Sequence, residues 1–337
     1  MTFRHFLIAA MLVASAHAQR IDIGWPTPNP AYFEGKPIAD FIQPTAAGET
    51  ESGLFGCRRS GGAQFHEGLD LKPLNRDRHG EPTDPIFAAM NGVVRYVGHV
   101  PGNSNYGRYI VLEHPEVEPA IYTLYAHLAA IAPGLNAGDS VTRGQVIGTM
   151  GRSSSTQAIP RERAHMHFEM GVMLTRDFES WFDWKKFGGH NQQGIWNGMN
   201  LYGFDPLDFF NEFRARKVDT FRDYFAHLPT AVRLRIATRR IPDYVQRYPA
   251  LLAKPLPADG LIGGWEVCVN ETGLPFSLTP LTPMETMGLS PDEVRVLEVD
   301  APLLKQHRCK SLVVSKRGNY AIGRDLLEVL QLVFGLR

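Results

Sequence analysis

The sequence predicts an all-β antiparallel catalytic domain with two sheets around a groove, followed by a C-terminal helical and small α+β region. Short apolar runs punctuated by glycine and proline continue from Leu54 to about Val172 without a long helical period. After Asp205 the apolar residues recur instead at three- and four-residue steps. One extended stretch, 164–169, also places two histidines and a glutamate on the same face.

The first 18 of the 337 residues are typical of a secretory signal peptide. Arg4 and His5 precede a short apolar run over residues 6–14, and Ala16-His17-Ala18 fits a cleavage site. The apolar run is shorter than the roughly 20 residues that span a bilayer, and no cysteine follows it to carry a lipid. We therefore expect an exported protein of 319 residues (337 − 18) that does not span the membrane and that works in the periplasm or outside the cell.

The overall charge excludes a broad basic surface for nucleic acid, because Lys+Arg and Asp+Glu number 35 each. The apolar share of 44% is sufficient for a packed core. The three cysteines form no scaffold of several bridges. Cys268 and Cys309 lie in the same late segment and could pair in an oxidising compartment, in which case Cys57 would be left over as a small buried hydrophobe.

The chain before Leu54 (residues 19–53) is rich in proline, glycine and threonine and predicts a coil that leads into the domain. A β-rich domain over 54–204 follows, with its motifs in 54–172. The apolar runs in that domain predict strands over 85–90 and 93–98 joined at Asn91-Gly92, then 109–114, 120–128, and two strands within 141–150 around Arg143-Gly144-Gln145.

Residues 205–337 form the predicted C-terminal region. Asp205 suits an N-cap and Pro206 a first helical position, and aromatic residues then recur at helical spacing to Leu228. A second helical segment is predicted to about Ala253, with a solvated arginine face comprising Arg233, Arg235, Arg239, Arg240 and Arg247. Residues 260–337 predict a small α+β unit with a strand over 265–269 and a closing helix over 325–334. Between them, Asn270-Glu271-Thr272 fits either a turn or a glycosylation sequon.

The stretch Ala164-His165-Met166-His167-Phe168-Glu169 carries the chemistry. In a strand, His165, His167 and Glu169 share one face, while Met166 and Phe168 face the core. Two imidazoles on one face suit a divalent metal, but a half-buried strand with two histidines by chance fits this stretch equally well.

A second motif favours the metal site over a strand that carries two histidines by chance. His66 and Asp70 lie either side of Gly68, which lets the backbone bend and aim both side chains at one point. Together with His167 they make a His/His/Asp set, which leaves a fourth zinc position open for water. Tyr125 and His127 supply a third signal, because they are expected on one strand face.

The order His66-x-x-x-Asp70, Tyr125-x-His127-Leu128 and His165-x-His167-Phe168-Glu169 resembles the lysostaphin-type, or LytM-type, zinc metalloendopeptidases. Asn91-Gly92-Val93-Val94, Asn105-Tyr106-Gly107 and the segment 138–148 are similar to the intervening strands and turns of that family. The resemblance covers about residues 54–172.

The resemblance implies that His66, Asp70 and His167 bind one Zn²⁺ per chain, and that His127 and His165 are catalytic. Zinc lowers the pKa of a bound water from ~15.7 to ~7. One of the two remaining imidazoles would accept and return the proton, and the other would donate a hydrogen bond to the oxyanion. Glu169 is expected to orient a neighbour, and Tyr106 and Tyr125 to pack in the core or wall the groove.

The resemblance implies that the substrates are peptidoglycan peptides. Two departures from the family pattern leave the cleaved bond undetermined. Residues 151–163 form a longer, charged loop where relatives have a short loop with a Gly-Pro step, and 205–337 match no known cell-wall-binding module. A non-catalytic binding or regulatory module on the same fold is the alternative. A peptidase for secreted proteins or foreign cell walls would share the chemistry. The lead-in coil is a further candidate, as a segment that occludes the groove.

Overall fold

The computed structural model describes residues 20–45, 48–316 and 318–337. The predicted signal peptide lies outside this range. Within it, no helix combines the length and the apolar character needed to cross a bilayer. The first part of the chain is dominated by antiparallel strands, which confirms the predicted fold class.

The first twelve strands and one helix come before residue 205. They are β1 (Gly56–Arg59), β2 (Gln64–His66), β3 (Leu69–Leu71), β4 (Pro85–Phe87), β5 (Gly92–Gly98), β6 (Tyr109–Glu113), β7 (Tyr122–Ala126), β8 (Ala130–Ile131), β9 (Ser140–Val141), β10 (Val146–Thr149), β11 (Met166–Met173), α1 (Phe178–Lys185) and β12 (Leu201–Phe204).

The main sheet has the order β12-β11-β7-β6-β5-β9, and β3 pairs with β11 beside β12. A smaller sheet has the order β4-β10-β8, and β1 and β2 form a separate ribbon. The predicted β6–β7 pair is confirmed. The predicted hairpin at Asn91-Gly92 is wrong, because β4 pairs with β10 while β5 pairs with β6 and β9. The two strands around Gly144 likewise join different sheets.

The C-terminal region adds five helices and six strands within the described residues. They are α2 (Pro206–Arg214), α3 (Phe221–His227), β13 (Val232–Ile236), α4 (Asp243–Arg247), β14 (Gly264–Val269), β15 (Pro275–Leu281), β16 (Val294–Val299), α5 (Ala301–Gln306), β17 (Val313–Lys316), β18 (Asn319–Ile322) and α6 (Arg324–Phe334).

Helix α2 begins as predicted, since the Asp205 side chain accepts hydrogen bonds from the backbone N–H groups of Leu207 and Asp208. The predicted second helical segment is wrong over four of its five arginines, and only Arg247 lies in a helix, at the end of α4. Arg233 and Arg235 lie on β13, at the centre of the sheet β15-β14-β13-β16. Val232, Leu234 and Ile236 alternate with them and are buried, which is the period of a half-buried strand.

The Asn270 motif is a turn between β14 and β15. The Asn270 side chain is buried, and its Oδ1 accepts hydrogen bonds from the backbone N–H groups of Thr272 and Leu274 and from the Thr272 hydroxyl. This self-satisfied geometry matches an Asx-type turn and leaves the amide buried rather than presented as a glycosylation acceptor.

The Cys268–Cys309 pair, which the sequence left open, does not form. Cys57 on β1 is bonded to Cys309 after α5, and Cys268 is the free, half-buried thiol. The pairing follows from the fold, which brings the chain after α5 next to the β1–β2 ribbon, whereas Cys268 lies on β14. One contiguous apolar core runs from Trp25 of the lead-in to Leu336, so the disulfide joins parts that already share a core.

Candidate metal centre and active site

Three candidate ligands meet at one point between the main sheet and the β1–β2 ribbon. His66 ends β2, Asp70 lies in β3 and His167 lies in β11. Asp70 Oδ1 is 3.0 Å from His66 Nε2 and 3.1 Å from His167 Nδ1, and those two nitrogens are 3.0 Å apart. All three side chains are buried. The structure therefore brings together the three residues predicted to bind metal.

The register of two strands explains this convergence. His167 lies directly opposite Asp70 in the β3–β11 ladder, so their side chains emerge on the same face. A Cβ atom on Gly68 would lie 2.2 Å from the Phe168 carbonyl oxygen. Gly68 is therefore needed for close approach of two backbones and has no positive φ, which corrects the predicted reason for a glycine at this position.

The hydrogen bonds of the two imidazoles suit metal binding. His66 Nδ1 lies 2.9 Å from the Leu54 carbonyl oxygen and donates to it, which leaves the Nε2 lone pair directed at the centre. His167 Nε2 donates to Glu169 Oε1 at 2.8 Å, so Nδ1 is the nitrogen that faces Asp70. Ligands of a tetrahedral zinc with bonds of about 2.0–2.1 Å lie about 3.3 Å apart, close to the separations here. The donor set fits zinc.

Glu169 holds the His167 ring in position. Its buried carboxylate accepts hydrogen bonds from three donors, His167 Nε2, the Tyr106 hydroxyl at 2.6 Å and the Tyr122 hydroxyl at 2.9 Å. Burial, reinforced by the Glu169 charge, raises the pKa of both phenols well above the usual value, so they remain donors. The contact agrees with the expectation that Glu169 orients a neighbour.

Arg59 holds the other oxygen of Asp70. Its Nη2 donates to Asp70 Oδ2 at 2.7 Å, and its Nε donates to the Ser52 carbonyl at 3.2 Å. Burial alone would raise the pKa of Asp70, but the neighbouring imidazoles His165 and His66 outweigh it, and the pKa lies well below the usual range. Asp70 is therefore ionised, as a metal ligand must be.

The two histidines predicted to be catalytic lie beside this cluster. His165 Nε2 is 3.4 Å from Asp70 Oδ1, and its Nδ1 donates to the Arg163 carbonyl at 2.7 Å. His127 Nδ1 donates to the Ser153 carbonyl at 2.8 Å, and the centroids of the His127 and His165 rings are 4.9 Å apart. Each imidazole thus keeps Nε2 free of backbone partners.

His127 does not share a face with Tyr125, contrary to the prediction. Strand β7 ends at Ala126, and His127 adopts a left-handed backbone with φ of 60° that turns its side chain into the site. Tyr125 instead points into the core, where its hydroxyl accepts a hydrogen bond from Ala89 N–H. Of the two candidate groove-wall tyrosines, only Tyr106 lines the groove.

Burial and neighbouring charges separate the pKa values of the imidazoles. Burial lowers the pKa of His66, and burial together with His165 and His167 lowers that of His127 well below its usual value. Burial would also lower the pKa of His167. The hydrogen bonds and negative charges of Asp70 and Glu169 outweigh burial and raise this pKa to about 9. His127 is therefore neutral at neutral pH.

The long loop over 151–163 supplies both carbonyl partners. Arg152 binds Glu81 through Nε at 2.8 Å and Nη2 at 2.9 Å, and Arg161 Nε binds the same carboxylate at 2.9 Å. These contacts, led by the hydrogen bond from Arg152, lower the pKa of Glu81 to about 2. The Glu81 carboxylate, between β3 and β4, therefore binds a residue near each end of the loop.

A cavity of about 780 Å³ opens from the cluster. His127, His167 and Tyr106 line it near the cluster, and Ser155 of the long loop contributes to its rim. Residues from the C-terminal region also line it, among them Lys310, Asp325 and Glu328. None of the described lead-in residues (20–45 and 48–53) lines it; Trp25 of that segment stacks on Tyr32 at 4.7 Å and packs against Phe210.

Sequence reasoning did not identify Arg59, Tyr122 or the C-terminal wall of the cavity. Tyr122 carries a usable signal, because β7 neighbours β11 and Tyr122 is an even number of residues from Leu124, which lies opposite Glu169. Arg59 and Lys310 carry none, since their positions depend on the β1–β2 ribbon and the disulfide.

The fold and the donor set define a β-rich domain with a His/Asp/His cluster that could hold a metal ion. Residues 64–176 match the model of peptidase family M23. The chain therefore contains a peptidase family M23 domain, as the resemblance implied. No curated protein sequence shows significant similarity to the whole chain.

Three solved structures are similar to this chain. The catalytic domain of a prophage-encoded M23 protein, EnpA from Enterococcus faecalis, is 22% identical, covering 39% of this chain and 81% of that one with a TM-score of 0.28. The catalytic domain of lysostaphin from Staphylococcus simulans is 20% identical, with coverages of 52% and 95% and a TM-score of 0.31. A zinc-containing peptidase from Vibrio cholerae is 26% identical, with coverages of 38% and 35% and a TM-score of 0.27.

Proposed function

We propose that this protein is an exported zinc endopeptidase that hydrolyses peptide bonds in the stem or cross-bridge peptides of peptidoglycan. The observation that carries the proposal is the meeting of His66, Asp70 and His167 beside two further imidazoles. Membership of peptidase family M23 supports the reaction class.

The metal and its ligands have separate tasks in this proposal. One Zn²⁺ held by His66 Nε2, Asp70 Oδ1 and His167 Nδ1 would supply a water of lowered pKa and polarise the scissile carbonyl. Arg59 and Glu169 are positioning residues, because they fix the orientation of Asp70 and His167 through direct hydrogen bonds.

His127 and His165 perform the proton transfers. Each presents a free Nε2 to the same space, while its Nδ1–H is held by a loop carbonyl. One imidazole accepts the proton of the attacking water and returns it to the leaving amine, and the other, once protonated, donates a hydrogen bond to the oxyanion. The lowered pKa of His127 leaves the imidazole neutral at neutral pH, the state in which it can accept a proton.

The proposed location outside the cytoplasm has two supports. Residues 1–18 have the pattern of a secretory signal, and the chain contains a disulfide, which persists in oxidising compartments. The cavity, which opens on one side of the cluster, suits an extended peptide.

The test is digestion of purified peptidoglycan by the mature protein, with fragments identified by mass spectrometry with and without a chelator. We expect new peptide ends only when zinc is present, and their masses would identify the bond. His66→Ala and Asp70→Ala should lose bound zinc and hydrolysis together, while His79→Ala, an exposed histidine away from the cluster, should keep both. Hydrolysis that survives loss of the metal would overturn the proposal. A zinc-loaded protein that binds peptidoglycan but cleaves none of it would favour the binding module.

A further inference from the structure

The cavity wall that the C-terminal region supplies carries charged groups, and most of them already have partners. Glu328 Oε1 binds Lys185 Nζ at 3.0 Å. Asp325 Oδ2 accepts the Ser311 N–H at 2.6 Å. Among the charged residues that line the cavity, Arg59 is bound to Asp70, and Glu67 is exposed to solvent. Lys310 remains.

The Lys310 ammonium has no hydrogen-bond acceptor or salt-bridge partner among the described residues, although Lys310 is half-buried. Its Nζ lies 4.1 Å from the centroid of the Phe65 ring and 5.6 Å from that of Tyr202. These aromatic faces stabilise the charge but accept none of its three N–H donors. Burial lowers the pKa of Lys310, and the negative charges of Glu67, Asp325 and Glu328 partly offset this lowering. A cation with unused donors therefore faces the cavity.

The position of this cation is fixed relative to the metal cluster. Cys309 precedes Lys310 and is bonded to Cys57, which lies opposite Phe65 in the β1–β2 ribbon. Phe65 in turn precedes the candidate ligand His66. The Cys57–Cys309 disulfide and the Phe65 ring thus hold the Lys310 ammonium beside the metal cluster. A peptide that lies in the cavity next to His167 would reach Lys310, because both residues line this cavity.

We propose that Lys310 binds a carboxylate of the peptide substrate, and so selects peptides with a free carboxylate over the same peptides in amidated form. A carboxylate matches the ammonium in charge and offers several acceptor lone pairs for its unused donors. The inference rests on the proposed function, because it takes the occupant of the cavity to be a peptide. Lys310 is a specificity residue here and takes no part in the proton transfers.

The competing role for Lys310 is packing alone, on the faces of Phe65 and Tyr202. The two roles differ in what an uncharged side chain of similar shape would do. In a packing role, Lys310→Met keeps peptide binding and changes only thermal stability. In a carboxylate-binding role, Lys310→Met loses the preference for the free carboxylate, and Lys310→Arg keeps it.

The experiment measures binding of purified peptidoglycan stem peptides, before and after chemical amidation of their carboxylates, to the metal-stripped full mature chain by calorimetry. Cleavage of both peptide pools by the zinc-loaded protein is measured in parallel. We expect amidation to weaken binding to the unmodified chain by about tenfold or more, the size of a lost charge-assisted hydrogen bond. Lys310→Met should bind both pools equally weakly. Lys305→Met, at an exposed lysine on α5, should behave as the unmodified chain.

The outcomes separate the two proposals. Equal binding of free and amidated peptides, or a preference that survives in Lys310→Met, overturns the role of Lys310. Hydrolysis without a preference leaves the endopeptidase and removes the inference. A preference without any hydrolysis leaves Lys310 as a carboxylate site on a binding protein. A preference that appears only with zinc would place the carboxylate on the metal, and that also overturns the inference.

Discussion

Ser153 and Arg163, at opposite ends of one loop, each accept a hydrogen bond on the backbone carbonyl from the Nδ1 of a different active-site histidine. Ser153 holds His127 at 2.8 Å and Arg163 holds His165 at 2.7 Å. The loop therefore sets the tautomer of both imidazoles that are proposed to move protons. Its conformation should affect catalysis directly, in addition to any contact with substrate.

Removing the Glu81 charge should loosen this loop and slow turnover. Glu81→Gln weakens the ion pairs with Arg152 and Arg161. Because these ion pairs are partly exposed, they contribute only about 0–1 kcal/mol to the free energy of unfolding. We expect kcat to fall by about tenfold, the cost of misaligned proton transfer, while zinc content and Tm barely change. Steady-state kinetics with metal analysis measure both.

The matched control is Glu293→Gln, which weakens a surface ion pair with Arg295 away from the site. If both variants slow turnover equally, or if Glu81→Gln leaves kcat unchanged, the loop does not orient the imidazoles.

Glu169→Gln should weaken zinc binding without unfolding the chain. The amide keeps the size and an acceptor for His167 but loses the negative charge that makes the imidazole a stronger ligand. We expect zinc affinity to fall by about 10–100-fold, measured by competition with a chromogenic chelator. Glu116→Gln, at an exposed turn, is the control. An unchanged affinity would assign Glu169 to holding Tyr106 and Tyr122 only.

Zinc binding should depend steeply on pH. In the metal-free chain the pKa of His167 is raised to about 9, so below that pH zinc must displace a proton from Nδ1. We predict that the apparent affinity rises about tenfold per pH unit between the ordinary imidazole pKa and about 9 and then levels. Calorimetry in buffers of different ionisation enthalpy would detect the released proton, and its absence at pH 7 would contradict the prediction.

The same shift predicts how the metal-free fold responds to pH. The folded pKa of His167 lies above the unfolded value of 6.5, so its protonated form contributes stability that is complete below pH 6.5 and is lost as the pH rises through about 9. The loss should be on the order of 3 kcal/mol in the free energy of unfolding. Urea unfolding of the metal-free chain at pH 6 and pH 9 measures it, with His167→Gln as the variant that should lack the dependence.

Breaking the disulfide should separate stability from metal binding. Cys57→Ala with Cys309→Ala is expected to lower the free energy of unfolding by about 2–5 kcal/mol. Zinc content should persist, because none of the hydrogen bonds that orient the three ligands involves a cysteine. Thermal unfolding and metal analysis test this, with Cys268→Ala as the control for removal of a thiol that is not in a bridge. Loss of zinc in the double variant would show that the bridge supports the ligand cluster itself.

The sequence predicted the features that depend on local period and order. The alternation of His165, His167 and Glu169 with Met166 and Phe168 identified strand β11 and both of its faces, and the three histidine and aspartate motifs identified which side chains meet. The alternation of Val232, Leu234 and Ile236 held the same kind of information, but the neighbouring arginines were assigned a helical period instead. That error came from reading the wrong period.

Features that depend on packing between distant segments could not be obtained in this way. Cys268 and Cys309 are close in sequence, yet Cys309 pairs with Cys57, 252 residues away. No spacing rule connects those two positions, because their contact follows from how the C-terminal region folds back on the β1–β2 ribbon. Arg59 beside Asp70 and Lys310 beside Phe65 depend on the same placement.

The span of that bridge has a consequence for when the molecule becomes complete. Cys57 is made 252 residues before Cys309, so no nascent chain can close the bond until Cys309 has also left the ribosome. In a reducing cytoplasm the two thiols would then stay unbonded, and only the shared apolar core would hold the C-terminal wall of the cavity in place. For an exported chain, as proposed, the bond would therefore close only after arrival in an oxidising compartment.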